Sequence, residues 1–415
     1  MRVLVTPHHF EIGGSQINAL EYAEAVANMP GFDVAVYAPD GVLVDDARAR
    51  GLDLHLTKLN LGAPSPRRIR EMTSLVRTLD IDLVHSYEWP TTMDAMLGPN
   101  ALLGTPMLAS ENDVQVTYFL PKSLPMTVCM NSIYEEERAQ RPDLHLLEVP
   151  VDTTAFSPES VSDERAAAAR RECGVGEDEL LVVVVSRISA HLKIEGLHAL
   201  AAAAGRLGRD HRFKVAVVGD GPLRPELERT VAAANAQAGR DVVVLLGERS
   251  DPRPYYRAAD IAVGMGGSAL RAMAFGKPLL VQGQQAFWSL LDETTQHTFF
   301  AQGWYGLADG EDGVSRCAQL LARLLRMSPD ERARLGALGR RIVRERYSLQ
   351  ARARQLADLY TEVHARGGRR TAAAVRALGT TARLPKFYVA RTVYGWRTRH
   401  ARSAAGPQPA SVAAT

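Results

Sequence analysis

One stretch, Ala259 to Val281, narrows the fold more than any other part of the chain. Ile261-Ala262-Val263 is a short apolar run that reads as a buried strand, and the glycines after it read as a turn. A helix opens at Ser268, and Gly276 and Pro278 stop it before a second apolar run, Leu279-Leu280-Val281. Strand, glycine turn, helix, strand is the repeating unit of a parallel sheet covered by helices. Gly266 and Gly267 carry no Cβ, so the backbone can turn sharply there and lie close to a ligand. Ser268 reads as the N-cap, which turns the amides of the first helical turn toward the loop and favours a phosphate. Arg271 then falls at the third helical position, where a cation opposes the helix dipole. An anion nearby and a solvated side chain both account for it.

The same alternation runs through the rest of the chain. Arg2 to Thr6 reads as a strand, followed by the loop Pro7-His8-His9-Phe10-Glu11-Ile12-Gly13-Gly14-Ser15 and a helix from Gln16 to about Asn28. Strand-like runs recur at 32–38, 54–57, 83–85, 107–109 and 126–130, with helical stretches such as 67–79 between most of them. The pattern breaks over Val149 to Pro158 and a polar segment reaching Glu179. A second series starts with Leu180-Leu181-Val182-Val183-Val184-Val185, the most apolar strand of all, and continues at 214–218, 241–246, 261–263 and 279–281. Arg-rich helices follow at 316–326 and 329–364, the latter broken. The expected fold is therefore α/β, with two doubly wound domains at 1–165 and 166–365 and a tail at 366–415. The tail shows no clean periodicity, and its Ala-, Pro- and Ser-rich end, 403–415, reads as disordered.

Charge separates the tail from the body. Of 49 Lys and Arg, ten follow Glu362, where no acidic residue occurs, so the body carries 39 basic against 47 acidic residues. Such a body is not a nucleic-acid binder by charge. In the tail, Leu384 to Arg397 interleaves aromatics with cations, a composition that suits an anionic membrane surface. Three widely spaced cysteines, Cys129, Cys173 and Cys317, indicate neither a disulfide framework nor a zinc site and point to a reducing compartment. No signal peptide precedes the first strand and no apolar run is long enough to span a bilayer, so the expected location is cytoplasmic.

Several strand ends carry groups suited to an anionic ligand. Arg187 ends the first strand of the second series and Lys193 opens the next helix, placed to clamp a diphosphate as a fork and a point charge. Gly219-Asp220-Gly221-Pro222 reads as a turn shaping the backbone beside them, and Gly247-Glu248-Arg249 as either a base contact or a solvated loop.

In this order the motifs resemble a family 4 glycosyltransferase of the GT-B fold. They are the Gly13-Gly14 loop, the linker Val151 to Pro158, Arg187 with Lys193, Val217 to Pro222, Ala272 to Pro278, and Arg344 to Leu349. The resemblance covers about residues 1–365. It implies two Rossmann-like domains facing across a cleft, and retaining transfer of a sugar from a nucleotide-diphosphate donor. The family usually carries two glutamates seven residues apart, the second directly before an Ala-Met-Ala like Ala272-Met273-Ala274 and bound to the donor ribose. Here Arg271 holds the second place and Val263 falls at the first. The family also often has a His after the strand matching Met107 to Ala109; here Glu111 and Asp113 stand in that loop, with His8, His9 and His85 as other candidates.

The reading is a donor site of Arg187, Lys193, Gly266, Gly267, Ser268 and Arg271, and an acceptor region at Gly13 and Gly14, with Glu111, Asp113 and His8 as catalytic candidates. With these cations neutralising the departing diphosphate, neither a metal nor a cofactor is required. The acceptor is an unidentified hydroxyl on a glycan, a lipid-linked sugar or a small molecule. Two rivals use the same scaffold: a nucleotide-sugar epimerase, and a non-catalytic partner subunit, the latter motivated by the missing glutamates.

Overall fold

A computed structural model describes residues 1–58, 62–113, 115–190, 193–307, 312–368 and 370–385. The aromatic and basic run past Pro385 and the 403–415 end lie outside the described residues. The chain forms two compact units, one of Met1–Pro150 together with the described residues from Leu349 on, the other of Val151–Ser348. The sequence reading divided the chain at 165/166 and kept the helix after Tyr347 with the second domain. The difference has a packing cause. Helix Leu349–Arg366 buries Leu356, Leu359, Tyr360 and Val363 in the core of the first unit, against helix Gly14–Ala27. Its apolar spacing shows that it is amphipathic, but not which sheet it covers.

The first unit holds a seven-stranded parallel sheet: β1 (Arg2–Thr6), β2 (Asp33–Pro39), β3 (Asp53–Thr57), β4 (Leu83–Tyr87), β5 (Met107–Glu111), β6 (Met126–Val128) and β7 (Leu144–Leu146). The order is β3-β2-β1-β4-β5-β6-β7. Successive residues of β1 serve opposite faces: Val3 and Val5 join one core, Leu4 the other. Helices cover both faces, which is why the inner strands read as continuous apolar runs. The connections run outward in opposite directions from β1 and β4, so the switch point lies between these two neighbours, and the loops at their carboxyl ends open there.

The second unit holds β8 (Leu180–Val185), β9 (Phe213–Val218), β10 (Val243–Gly247), β11 (Ile261–Gly264), β12 (Leu279–Gln282) and β13 (Trp288–Leu290), in the order β10-β9-β8-β11-β12-β13. Only β13 runs antiparallel, pairing with β12. The switch point lies between β8 and β11, the two apolar strands that stand out most in the sequence. Strands β7 and β13, at three residues each, are too short to leave a periodic signal. Helix Arg370–Thr381 replaces the aperiodic tail expected there, packing on the 96–103 segment. Among the described residues no helix is long and apolar enough to cross a membrane.

Candidate functional site

In the second unit the loops at the carboxyl ends of the neighbouring strands β8 and β11 carry Arg187, Lys193 and the Gly266 turn. Arg187 follows β8 and is exposed; Lys193 caps the helix Ile194–Leu207. Two glycines make this loop possible. Gly219, at φ +139, lies so close to the Ser186 carbonyl that a Cβ would sit 2.0 Å from its oxygen. Gly221, at φ +159, would meet the Ile188 carbonyl oxygen at 2.3 Å. The turn Gly219-Asp220-Gly221-Pro222 thus braces the Arg187 loop backbone to backbone, with Ile188 N–H donating to the Asp220 carbonyl at 2.9 Å. Lys193 is half-buried, and no hydrogen bond or ion pair reaches its ammonium among the described residues. Desolvation pushes its amine down to about 8, as for a cation drawn from solvent with no counter-charge among the described residues.

The Gly266 turn differs from the expected one. Helix Gly267–Ala274 has Gly266 as its N-cap, at φ 52, a backbone open to glycine, and not Ser268. Ser268 is already helical, and its hydroxyl donates to the Met265 carbonyl at 2.9 Å, tying the turn together. The Gly266 amide donates to the Trp304 carbonyl at 2.7 Å and the Ser268 amide to that of Met265 at 3.2 Å, so neither points freely at a ligand. With the helix starting earlier, Arg271 falls in its last turn, where a cation suits the dipole. The conflict read from the sequence arose from the misplaced cap. The Arg271 guanidinium lies 5.1 Å from the centroid of the Phe156 ring, a cation–π contact that links the linker motif to the Ala-Met-Ala helix.

In the first unit the carboxyl ends of β4 and β5 meet the start of helix Gly14–Ala27. Glu111, the last residue of β5, is 2 % exposed. Its Oε2 accepts from the Thr117 hydroxyl at 2.7 Å and the Thr117 amide at 3.3 Å, while Oε1 is buried without a partner. Glu88, directly after β4, takes φ 67, an uncommon backbone for a residue with a side chain and one that clusters at functional sites. Its Oε1 accepts from the Ser15 hydroxyl at 2.7 Å and the Asn112 amide at 3.3 Å, and the Asn112 side chain donates to Ser15 Oγ at 3.1 Å. Burial raises both carboxyls toward neutrality first; the charge of Glu88 adds to Glu111, and that of Asp113 to both. No ion pair reaches Glu88 or Glu111 among the described residues. No three His, Cys, Asp or Glu side chains there converge on a metal position.

Gly13 is the N-cap of that helix and Gly14 its first residue; a Cβ on Gly14 would meet nothing within 4 Å, leaving the backbone open to an approaching group. The histidines separate by role. His85 is fully buried, with Nδ1 2.6 Å from the Tyr360 hydroxyl and Nε2 2.7 Å from Ser110 Oγ, so it joins helix Leu349–Arg366 to the sheet. His8 and His9 both contact Gln16 Nε2, at 3.3 and 3.1 Å. Burial, then the charges of His9 and Arg68, hold His8 down to about 3, so it is neutral at physiological pH and a weak base in the free protein. Glu88 escaped the sequence reading because the strand was ended at His85; the available signal was its place beside the switch point.

Residues 179–326, all within the second unit, match the family described as Glycosyl transferases group 1. The chain is 28% identical over 213 residues to an alpha-D-kanosaminyltransferase of Streptomyces kanamyceticus, spanning 49% of this chain and 50% of that protein. It thus spans about half the length of the curated relative it matches. Among solved structures, a glycosyltransferase from Rickettsia africae superposes with a TM-score of 0.70 at 15% identity, covering 87% of this chain and 98% of that one. Anabaena HepE, solved with UDP and glucose, gives a TM-score of 0.65 at 14% identity, covering 87% and 99%. At such identities these likenesses concern the fold, which is that of GT-B glycosyltransferases: two Rossmann-like α/β domains with parallel sheets.

Proposed function

We propose that this chain is a retaining glycosyltransferase that moves a sugar from a nucleoside-diphosphate donor to a hydroxyl acceptor. Lys193 carries the reading: a desolvated ammonium with no counter-charge among the described residues, at the switch point of the unit that matches the glycosyltransferase family. A departing diphosphate supplies the missing negative charge, and stabilising it is the main electrostatic demand of the transfer. Arg187 and Arg271 complete the donor site, with Arg271 in place of the family's ribose-binding glutamate. The Gly266–Gly267–Ser268 turn shapes the backbone there, its Gly266 and Ser268 amides being taken up by the protein's own carbonyls. HepE, solved with UDP and with UDP-glucose, supports a nucleotide donor of this kind. The acceptor lies against the first unit, near Gly13, Gly14 and the Glu111–Asp113 loop. There Asp113, in its ionised form, is the candidate proton acceptor for the attacking hydroxyl. The bond from the anomeric carbon to the diphosphate breaks as the bond to the acceptor oxygen forms, with retention as the family resemblance implies. The basic tail brings the protein to an anionic membrane surface when the acceptor is lipid-linked.

The test is incubation of the purified chain with a panel of nucleotide sugars and hydroxyl acceptors, followed by product analysis. Sugar transfer or donor hydrolysis supports the proposal. An epimerised sugar would identify the first rival, and binding without turnover in every combination the second.

A further inference from the structure

The buried carboxyls at the ends of β4 and β5 are left over by the donor chemistry. Glu88 and Glu111 come from adjacent strands, at the switch point of the first unit, and both are desolvated. Their hydrogen bonds come only from neutral donors, Ser15, Thr117 and backbone amides, and no cation pairs with either among the described residues. Desolvating a carboxylate without a cation is expensive, and a fold that only needed to seal this end of the sheet would place apolar residues there. One further observation points to a ligand. Among the described residues Glu111 Oε1 is buried without a partner, and the charge of Glu88 reaches Glu111. Asp113 adds a third negative charge to the same locus.

We propose that the acceptor is a polyol carrying a protonated amine, an amino sugar or aminocyclitol, whose ammonium is held by Glu88 and Glu111. This rests on the acceptor reading above and names its substrate class. The chemistry balances without a further reactant. In the free protein burial favours the protonated form of both carboxyls. An arriving ammonium favours the ionised form, proton is released to solvent, and the carboxylates gain the positive partner that none of the described residues supplies. An ammonium brings three donors, enough for the unpartnered Glu111 oxygen and for Glu88 together. A metal is the weaker occupant, since no third ligand converges with these two among the described residues.

The experiment measures binding to the full chain by calorimetry. The probes are glucosamine, galactosamine, 3-amino-3-deoxyglucose and an inosamine, each beside its N-acetyl counterpart. At least one amine should bind about 10-fold or more tighter than its neutral counterpart. That preference should fall in Glu88→Gln and in Glu111→Gln, two near-isosteric changes. Titrations near pH 7 in two buffers of different ionisation heat should show proton release with the amine and none with the N-acetyl form. If no amine outbinds its counterpart, or the preference survives in both variants, the proposal is overturned, and the wild-type comparison stands even if a variant fails to fold. UDP binding in the same samples reports the second unit separately. UDP bound without an amine preference refutes this inference alone. An amine preference without UDP binding supports it and refutes the donor reading.

Discussion

Lys193 shows how one residue's setting turns into a measurable pH dependence. Burial lowers its amine to about 8, so it is charged below that pH and neutral above it. A bound diphosphate stabilises the charged form and draws the proton on. Affinity for a nucleoside diphosphate should therefore be strongest below about pH 8 and fall as pH rises through that value. A charge-assisted contact of about 1.5–3 kcal/mol predicts that Lys193→Met weakens UDP binding about 10- to 100-fold at pH 7 and removes most of the decline at higher pH. Isothermal titration from about pH 7 to pH 9.5 reads both. Unchanged affinity in the variant would mean the ammonium faces no phosphate. Glu111 is the opposite case: its charge was legible as a candidate, but its value as one came from Glu88, which only the fold sets beside it.

Among the elements, the loop after β8 depends on its neighbour. Gly219 and Gly221 sit where backbone meets backbone, so an added methyl cannot be absorbed by a side-chain rotation. Gly219→Ala should destabilise the second unit by more than about 1 kcal/mol, through both the φ of +139 and the clash with Ser186. It should also weaken UDP binding by displacing the Arg187 loop. Gly14→Ala is the control, because its Cβ would enter open space and its backbone suits any residue. Thermal unfolding of the two variants distinguishes them, and an equal loss in both would contradict the bracing role of the turn.

For the whole molecule, the prediction concerns where the chain can be cut. Ending it at Ser348 removes helix Leu349–Arg366, strips Tyr360 from His85 and bares the face of Gly14–Ala27 that Leu356 and Val363 cover. The first unit should then aggregate or unfold, although most of its residues precede the second unit. Ending the chain at Pro385 keeps every described helix and removes the aromatic and basic run with the 403–415 end. That version should stay folded and bind UDP as the full chain does. It should lose co-sedimentation with anionic vesicles at low salt if the tail is the membrane contact; equal binding by both versions would place the contact elsewhere or nowhere.

Strand and helix order, two α/β series and the glycine turns were all legible in the sequence, because buried parallel strands are apolar on both faces and stand out as β-branched runs. Leu180 to Val185 and Ile261 to Val263 are such runs, and they became the neighbours that open the second switch point. The sequence also marked Arg187, Lys193 and Glu111 by their places at strand ends. It misplaced the cap of helix Gly267–Ala274, because Ser268 has the chemistry of a cap while the left-handed backbone that decides the start belongs to Gly266. It could not assign helix Leu349–Arg366 to the first unit, since an amphipathic face states that something is buried without saying against what. The carboxyl pair of Glu88 and Glu111 was likewise decided by tertiary structure alone. Twenty-three positions apart in the chain, they come within reach of each other's charge because β4 and β5 pair in parallel and end together.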